Sequence, residues 1–275
     1  MEKDIGLTKQ PIYPVQYVQA VTGGTAHVIL CSDGNQYVMK MNTVSKRPKE
    51  MVNEYVFGKL AKLLSLPVIP FELIQLNEEF IKSTPALYAN KPNYDPRLRY
   101  GSLVIENSIV FADKLETPPS KQEIINRNML AGMIIFDQWV YNSNRSINNL
   151  LLQHTDKGGY YVHMINHDRC FPGGYRWNAK TIGSQKPEYR MLNQVYRWCY
   201  SMLDDDKLLV KFAERIKALP NEWIYEVIVS IPDEWEVTSE ERETLYQYLI
   251  KEKVRMPKVA SLFRKVIPLA STLNI

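Results

Sequence analysis

A short hairpin constrains this chain more than any other feature. Leu150-Leu151-Leu152 and Tyr160 to Ile165 are apolar, strand-like runs, and Asp156-Lys157-Gly158-Gly159 between them reads as a turn. In an antiparallel pair, the start of the first strand and the end of the second lie at the same end. Asn149 precedes the first run and Asn166 follows the second. The spacing therefore predicts that Asn142, Asn144, Asn149, Asn166, His167 and Asp168 gather at one open end. Upstream, Ser120 and Glu123 form a capping box, which predicts the start of a long apolar helix through Ile124, Leu130, Met133, Ile134, Phe136 and Val140. That helix would deliver the Asn142–Asn149 loop to the same place. Any one asparagine in such a loop is most simply a solvated turn residue. A whole polar cluster set between apolar elements is a candidate site.

The first third reads as β-rich. Tyr17–Val21, His27–Cys31 and Tyr37–Met41 are predicted strands, joined by turns at Thr22-Gly23-Gly24-Thr25 and Ser32-Asp33-Gly34-Asn35. Pro48 suits the first turn of a helix that carries Met51, Val52, Tyr55, Val56, Leu60, Leu63 and Leu64 at helical spacing. Phe71–Leu76 and Ser102–Ile105 return to extended structure, and the polar, proline-bearing stretch 77–100 is expected to be a surface excursion. From about Pro187 the chain reads as packed helices, with a second capping box at Thr238 and Glu241. The expectation is an α+β protein with a β-rich N-lobe over residues 1–110 and a mostly helical C-lobe over 111–275.

Four further residues of the first part bear on chemistry. Gly23-Gly24 can bring backbone N–H groups close to a phosphate, although a glycine pair alone is more often simply a turn. Lys40 ends an apolar strand, where a lysine either points to solvent or reaches a phosphate. Glu54, in the following helix, is either a surface charge or a partner for it.

Composition removes several alternatives. The net charge of +4 and pI near 8.7 come without a concentrated basic stripe, so nucleic acid is not an expected partner. No apolar run reaches membrane-spanning length, and the start of the chain lacks a signal-peptide core. Cys31, Cys170 and Cys199 fit no metal spacing and are expected to be reduced thiols, as in a cytoplasmic protein. The four histidines form no zinc motif.

The order of these features resembles that of protein kinases: glycine turn, strand lysine, helical glutamate, linker, apolar helix, polar loop, hairpin and metal turn. The wording is most similar to HipA-like kinases. Asn142-Ser143-Asn144-Arg145-Ser146-Ile147-Asn148-Asn149-Leu150-Leu151 resembles their catalytic loop, Asn-x-Asp-Arg-x-x-x-Asn-Leu-Leu. Ile165-Asn166-His167-Asp168-Arg169-Cys170-Phe171 resembles their metal turn, Ile-Asp-His-Gly-x-x-Phe. Ser230-Ile231-Pro232-Asp233-Glu234-Trp235 resembles a C-terminal signature of the same group, and the likeness covers residues 15 to 260.

The resemblance implies a two-lobed protein-kinase-like fold, with ATP and Mg²⁺ as cofactors and a protein as partner or substrate. Gly23 and Gly24 would cover the phosphates, and Lys40, oriented by Glu54, would hold them. Asn149 would ligate magnesium, and Asn144 and Arg145 would form the catalytic loop. Two departures stand out. Asn144 occupies the place of the catalytic aspartate, and Asn166 the place of the main metal-binding aspartate. A neutral amide accepts no proton at neutral pH, and losing a general base costs on the order of 10² to 10⁴ in rate. An amide oxygen also holds Mg²⁺ more weakly than a carboxylate. Asp168 stands where the family has glycine and is the candidate substitute carboxylate. The preferred expectation is a nucleotide-binding pseudokinase; the alternative is an active, divergent Ser/Thr-type kinase that uses Asp168 as metal ligand.

Overall fold

The computed structural model describes residues 11–21, 26–41, 49–87, 94–184, 189 and 193–272. The Gly23-Gly24 turn lies outside the described residues. The chain divides into two units. One comprises residues 1–47 and 70–104, the other 48–69 and 105–275.

The first unit is a five-stranded antiparallel sheet. Its strands are β1 (Pro14–Ala20), β2 (Ala26–Cys31), β3 (Gln36–Lys40), β4 (Phe71–Leu76) and β5 (Arg97–Leu103), in the order β1-β2-β3-β5-β4. The β1-β2-β3 meander appears as expected. The β2–β3 turn closes because the Asp33 carboxylate accepts the Asn35 N–H at 3.1 Å and the Tyr37 hydroxyl at 2.7 Å. Ile12 pairs in parallel with Ile74, so the chain entering β1 also covers the edge of β4. Ile29, Met39, Met41, Ile74 and Leu76 form the core under the sheet. Lys40 is half-buried at the end of β3, with its backbone paired to Ala26.

The surface excursion expected over 77–100 is not what forms. Asn77 caps a short helix whose Phe80 and Ile81, with Leu87, join the sheet's core. β5 then begins at Arg97 and buries Arg99 and Tyr100. The polar residues of this stretch hid three apolar anchors, and Asp95 neutralises Arg99 at 2.8 Å.

The second unit is mostly helical. It contains α1 (Glu50–Leu63), a three-stranded sheet of β6 (Ser108–Val110), β7 (Leu150–His154) and β8 (Tyr160–Met164), and the central helix α3 (Leu130–Trp139), where α2 is the Glu78–Ser83 helix above. α4 (Ala179–Ser184), α5 (Gln194–Ser201), α6 (Lys207–Lys217), α7 (Asn221–Val229), α8 (Ser239–Lys253) and α9 (Met256–Thr272) follow. Helix α1, expected with the first lobe, packs in this unit instead. It is buried almost all round, and its Phe57 ring meets Phe136 of α3 edge-on at 4.8 Å. Tyr55 binds the carbonyl of Ser230 at 3.0 Å and stacks edge-on against Trp235, so the C-terminal signature serves to seat α1.

The Ser120 capping box exists but does not open the long helix. It caps a single 3₁₀ turn, Lys121–Glu123, and α3 begins only at Leu130. The intervening residues bond to the hairpin instead: the Ile125 N–H to Tyr160 at 2.9 Å, and the Asn126 amide to both backbone groups of Val162. Those bonds compete with helix formation. The Thr238–Glu241 box does cap α8. Two glycines permit close approaches here. A side chain at Gly132 would strike Leu66 and Phe212, and one at Gly159, whose φ is +78°, would strike the Glu123 carbonyl.

Candidate functional site

The β7–β8 hairpin pairs Leu150 with Met164, so the residues just outside these positions share one end. The structure brings them together as the spacing predicts. The Asn166 side-chain amide donates to Asn149 Oδ1 at 3.0 Å, and Asn149 Nδ2 donates to the Asn144 carbonyl. Asn144 Nδ2 donates to Asp168 Oδ1 at 3.2 Å. Asn166 sits at φ +58°, a left-handed conformation that asparagine tolerates better than most residues.

Below this tip lies a buried ionic support. Arg145 Nε donates to Asp137 Oδ2 at 2.7 Å and a second guanidinium nitrogen to Oδ1 at 3.1 Å. Both side chains are fully buried. Asp137 also accepts the Asn142 amide at 2.9 Å and the Tyr196 hydroxyl at 3.1 Å. Burial alone would lower the Arg145 pKa, but the facing Asp137 outweighs it and holds the guanidinium charged. Burial and the same carboxylate push the Tyr196 phenol up, so it stays a donor. Arg145 uses its third nitrogen on the Asn149 carbonyl at 2.6 Å, which ties the support to the tip. Asn193 holds the Arg145 carbonyl at 2.8 Å.

A second buried clamp comes from α1. Asn53 Nδ2 donates to the carbonyls of Asp168 at 2.6 Å and Gly174 at 3.1 Å, while its Oδ1 accepts the Trp177 indole at 2.7 Å. Glu54 Oε2 accepts the His167 backbone N–H at 3.0 Å and lies 3.2 Å from Nδ1. The imidazole stacks on Phe57 at 3.5 Å. Burial lowers the His167 pKa and Glu54 opposes that shift. These bonds bind Glu54 to the segment that follows β8; Lys40 belongs to the sheet unit.

Asn53, Asp137, Tyr196 and Asn193 were not legible as site residues. Asp137 had a signal, being the one acid in the apolar run 130–140. Asn53 had none, because its helix also carries Glu50, Glu54, Lys59 and Lys62. The three cysteines are free and buried, as expected, and burial pushes Cys31 up to about 12.

The tip offers a divalent cation one carboxylate, Asp168, and the amide oxygens of Asn149 and Asn166. Mg²⁺ prefers carboxylate and phosphate oxygens in octahedral geometry, so this donor set fits a weakly held ion. No group of three or more His, Cys, Asp or Glu residues able to hold a metal occurs among the described residues. Nor is any helix among them long and apolar enough to cross a membrane.

The family model of HipA-like kinases matches residues 15–257. The chain belongs to the HipA-like kinase family. Among solved structures, it is similar to the proinflammatory kinase CtkA of Helicobacter pylori, with a TM-score of 0.55 at 14% identity over 92% of this chain and 95% of that one. HipA of Shewanella oneidensis MR-1, from a toxin–antitoxin complex with HipB and operator DNA, gives a TM-score of 0.46 at 10% identity, covering 96% and 76%. No curated protein matches. The likeness to CtkA bears on fold: an α+β kinase fold with an antiparallel sheet in its N-terminal region and helices in its C-terminal part. The HipA-like family in general implies ATP and Mg²⁺.

Proposed function

We propose that this chain binds ATP or ADP and transfers phosphate very slowly or not at all. The observation that supports this is the charge at the tip of the catalytic loop. Asn144 and Asn166 are both amides, and the one carboxylate beside them, Asp168, already accepts a hydrogen bond from Asn144. In the proposed site, Asn144 orients an acceptor hydroxyl but takes no proton from it. Asn149, Asn166 and Asp168 would hold Mg²⁺, which when bound neutralises phosphate charge. Arg145 acts through Asn149 and touches no substrate. Gly23, Gly24 and Lys40 supply donors to the phosphates, and Glu54 orders the turn through His167.

A second reading draws on the same bond. As acceptor of that bond the Asp168 carboxylate faces the loop, where it can serve as the working metal ligand of an active, divergent kinase.

Calorimetry with ATP, with and without Mg²⁺, tests the first reading. Binding is expected in both conditions, with a small magnesium effect. Lys40→Ala is expected to weaken it roughly tenfold, since a phosphate loses its charged partner. No response to millimolar nucleotide by calorimetry and thermal shift sinks the reading. A radiolabelled ATP assay separates the two. The Asn144→Asp/Asn166→Asp double variant is expected to gain most, and Asn166→Asp alone to gain magnesium dependence first. Robust transfer by the unmodified chain, abolished by Asp168→Ala, establishes the second reading instead.

A further inference from the structure

Two exposed arginines follow the hairpin, and among the described residues neither guanidinium has a carboxylate partner. Arg169 and Arg176 both lie over the ring of Tyr175, 5.4 and 5.9 Å from its centroid. Sharing one aromatic ring keeps the two guanidinium carbons at most about 11 Å apart. Like charges kept close repel, and an anion is the group that relieves the repulsion. Four acids of the surrounding elements are engaged elsewhere: Asp168 with Asn144, Asp137 with Arg145, Glu54 with His167 and Glu241 with Lys49.

The patch is pre-organised by buried bonds. Asn53 grips the chain at Asp168 and again at Gly174, bracketing the segment that carries Arg169 and leads into Tyr175. The Tyr175 carbonyl accepts the Lys49 N–H at 3.1 Å. The Arg169 carbonyl accepts both the N–H and the hydroxyl of Ser143, at 3.3 and 3.0 Å. Ser143 immediately precedes Asn144, so the Arg169 backbone lies beside the loop that carries Asn144, and Arg176 joins it through the shared Tyr175 ring.

We propose that Arg169 and Arg176 form a recognition patch for the acidic side chains of a polypeptide presented beside Asn144. This rests on the reading of the Asn144–Asp168 end as the place where an acceptor group would sit. Guanidinium forks match carboxylates in a bidentate way. Two cations on one ring make a compact site, whereas a nucleic-acid track needs a line of cations along successive phosphates. The net charge of only +4 also favours the peptide.

The test uses a fluorescein-labelled peptide with a serine flanked by glutamates, followed by anisotropy without nucleotide. The glutamate peptide is expected to bind in a salt-sensitive manner, and a glutamine analogue to bind much more weakly. Arg169→Ala and Arg176→Ala should each weaken binding roughly threefold and together roughly tenfold, the range of exposed charge pairs. The paired Arg→Lys variant should fall between, because it keeps charge and loses the fork. Equal binding by the unmodified chain and the double alanine variant overturns the proposal. So does equal binding of the glutamine analogue, or stronger displacement by a single-stranded oligonucleotide than by unlabelled peptide. ATP titrated into the same proteins keeps the two readings apart. Peptide binding without any nucleotide binding sinks the nucleotide reading alone, and nucleotide binding without peptide binding sinks this one alone.

Discussion

Under the loop 142–149, Arg145 and Asp137 form a bidentate ion pair with no exposed surface, whereas at the tip of the same loop Asn144, Asn149 and Asn166 carry no charge and bond to one another and to Asp168. A buried ion pair is retained only when its geometry and extra hydrogen bonds offset desolvation. Here Asn142 and Tyr196 complete the Asp137 shell, and the Asn149 carbonyl takes the remaining Arg145 nitrogen. The support therefore fixes the loop's shape without help from the tip. That separation explains how the chemistry of positions 144 and 166 can change while the kinase-like framework persists. The loop's shape is held by residues a few positions away from its uncharged tip.

The sharpest way to break this contrast is to attack the support. Asp137→Ala leaves a guanidinium buried without its partner and should cost about 3–5 kcal/mol. Urea unfolding measures it, and a loss under 1 kcal/mol would show that the pair is not what holds the loop. The next effect comes from the α1 clamp. Asn53→Ala removes three hydrogen bonds from a fully buried site and strands the Trp177 indole and two carbonyls, costing about 2–4 kcal/mol by the same measurement. An unchanged unfolding midpoint in Asn53→Ala would dismiss the clamp.

The tip was readable from the sequence and the support was not, for a physical reason. Hairpin register is local: a turn and two apolar runs fix which residues share an end, so Asn149 and Asn166 could be paired from spacing alone. The Asp137–Tyr196 and Asn53–Trp177 bonds join residues 59 and 124 positions apart, and no local pattern encodes them. The long helix from Ser120 failed for a related reason. Its capping box was real, but the Asn126 amide found backbone partners on β8 that a helix would have denied it. The stretch 77–100 misled because polar composition concealed Phe80, Ile81 and Leu87.

Restoring charge at the tip sharpens the comparison from the other side. Asn144→Asp would set a carboxylate where Nδ2 now donates to Asp168 Oδ1 at 3.2 Å. A bond becomes a like-charge contact, which should destabilise the protein by about 1–2 kcal/mol without metal. Added Mg²⁺ should return most of that loss, because two facing carboxylates make a better cation site than one. The measurement is the thermal midpoint with and without millimolar Mg²⁺. If the variant loses stability equally in both, the tip does not gather around a cation. If it loses none, Asp168 does not face the loop as the hydrogen bond indicates. The Arg145–Asp137 support should be indifferent to the substitution.

The smallest effect concerns pH and tests whether the hairpin is as independent of the tip as the ion pair is. His163 lies on β8, its Nε2 2.9 Å from Gln153 Oε1, and burial pushes its pKa down to about 4 from 6.5. The folded chain therefore holds this imidazole neutral, while the unfolded chain protonates it near pH 6.5. Its contribution is fully present above pH 6.5 and is lost progressively as pH falls toward 4. His167 is shifted downward as well, so it adds to the same acid loss. His163→Gln keeps a donor for Gln153 and removes one of three histidine titrations that burial shifts downward, the others being His27 and His167. Between pH 7 and 5.5, the slope of stability against pH should drop by less than one proton's worth, leaving the part due to His27 and His167. An unchanged slope would mean that His163 is not held neutral by the fold. A slope reduced to zero would mean that neither His27 nor His167 contributes in this range, against the downward shift that burial gives both.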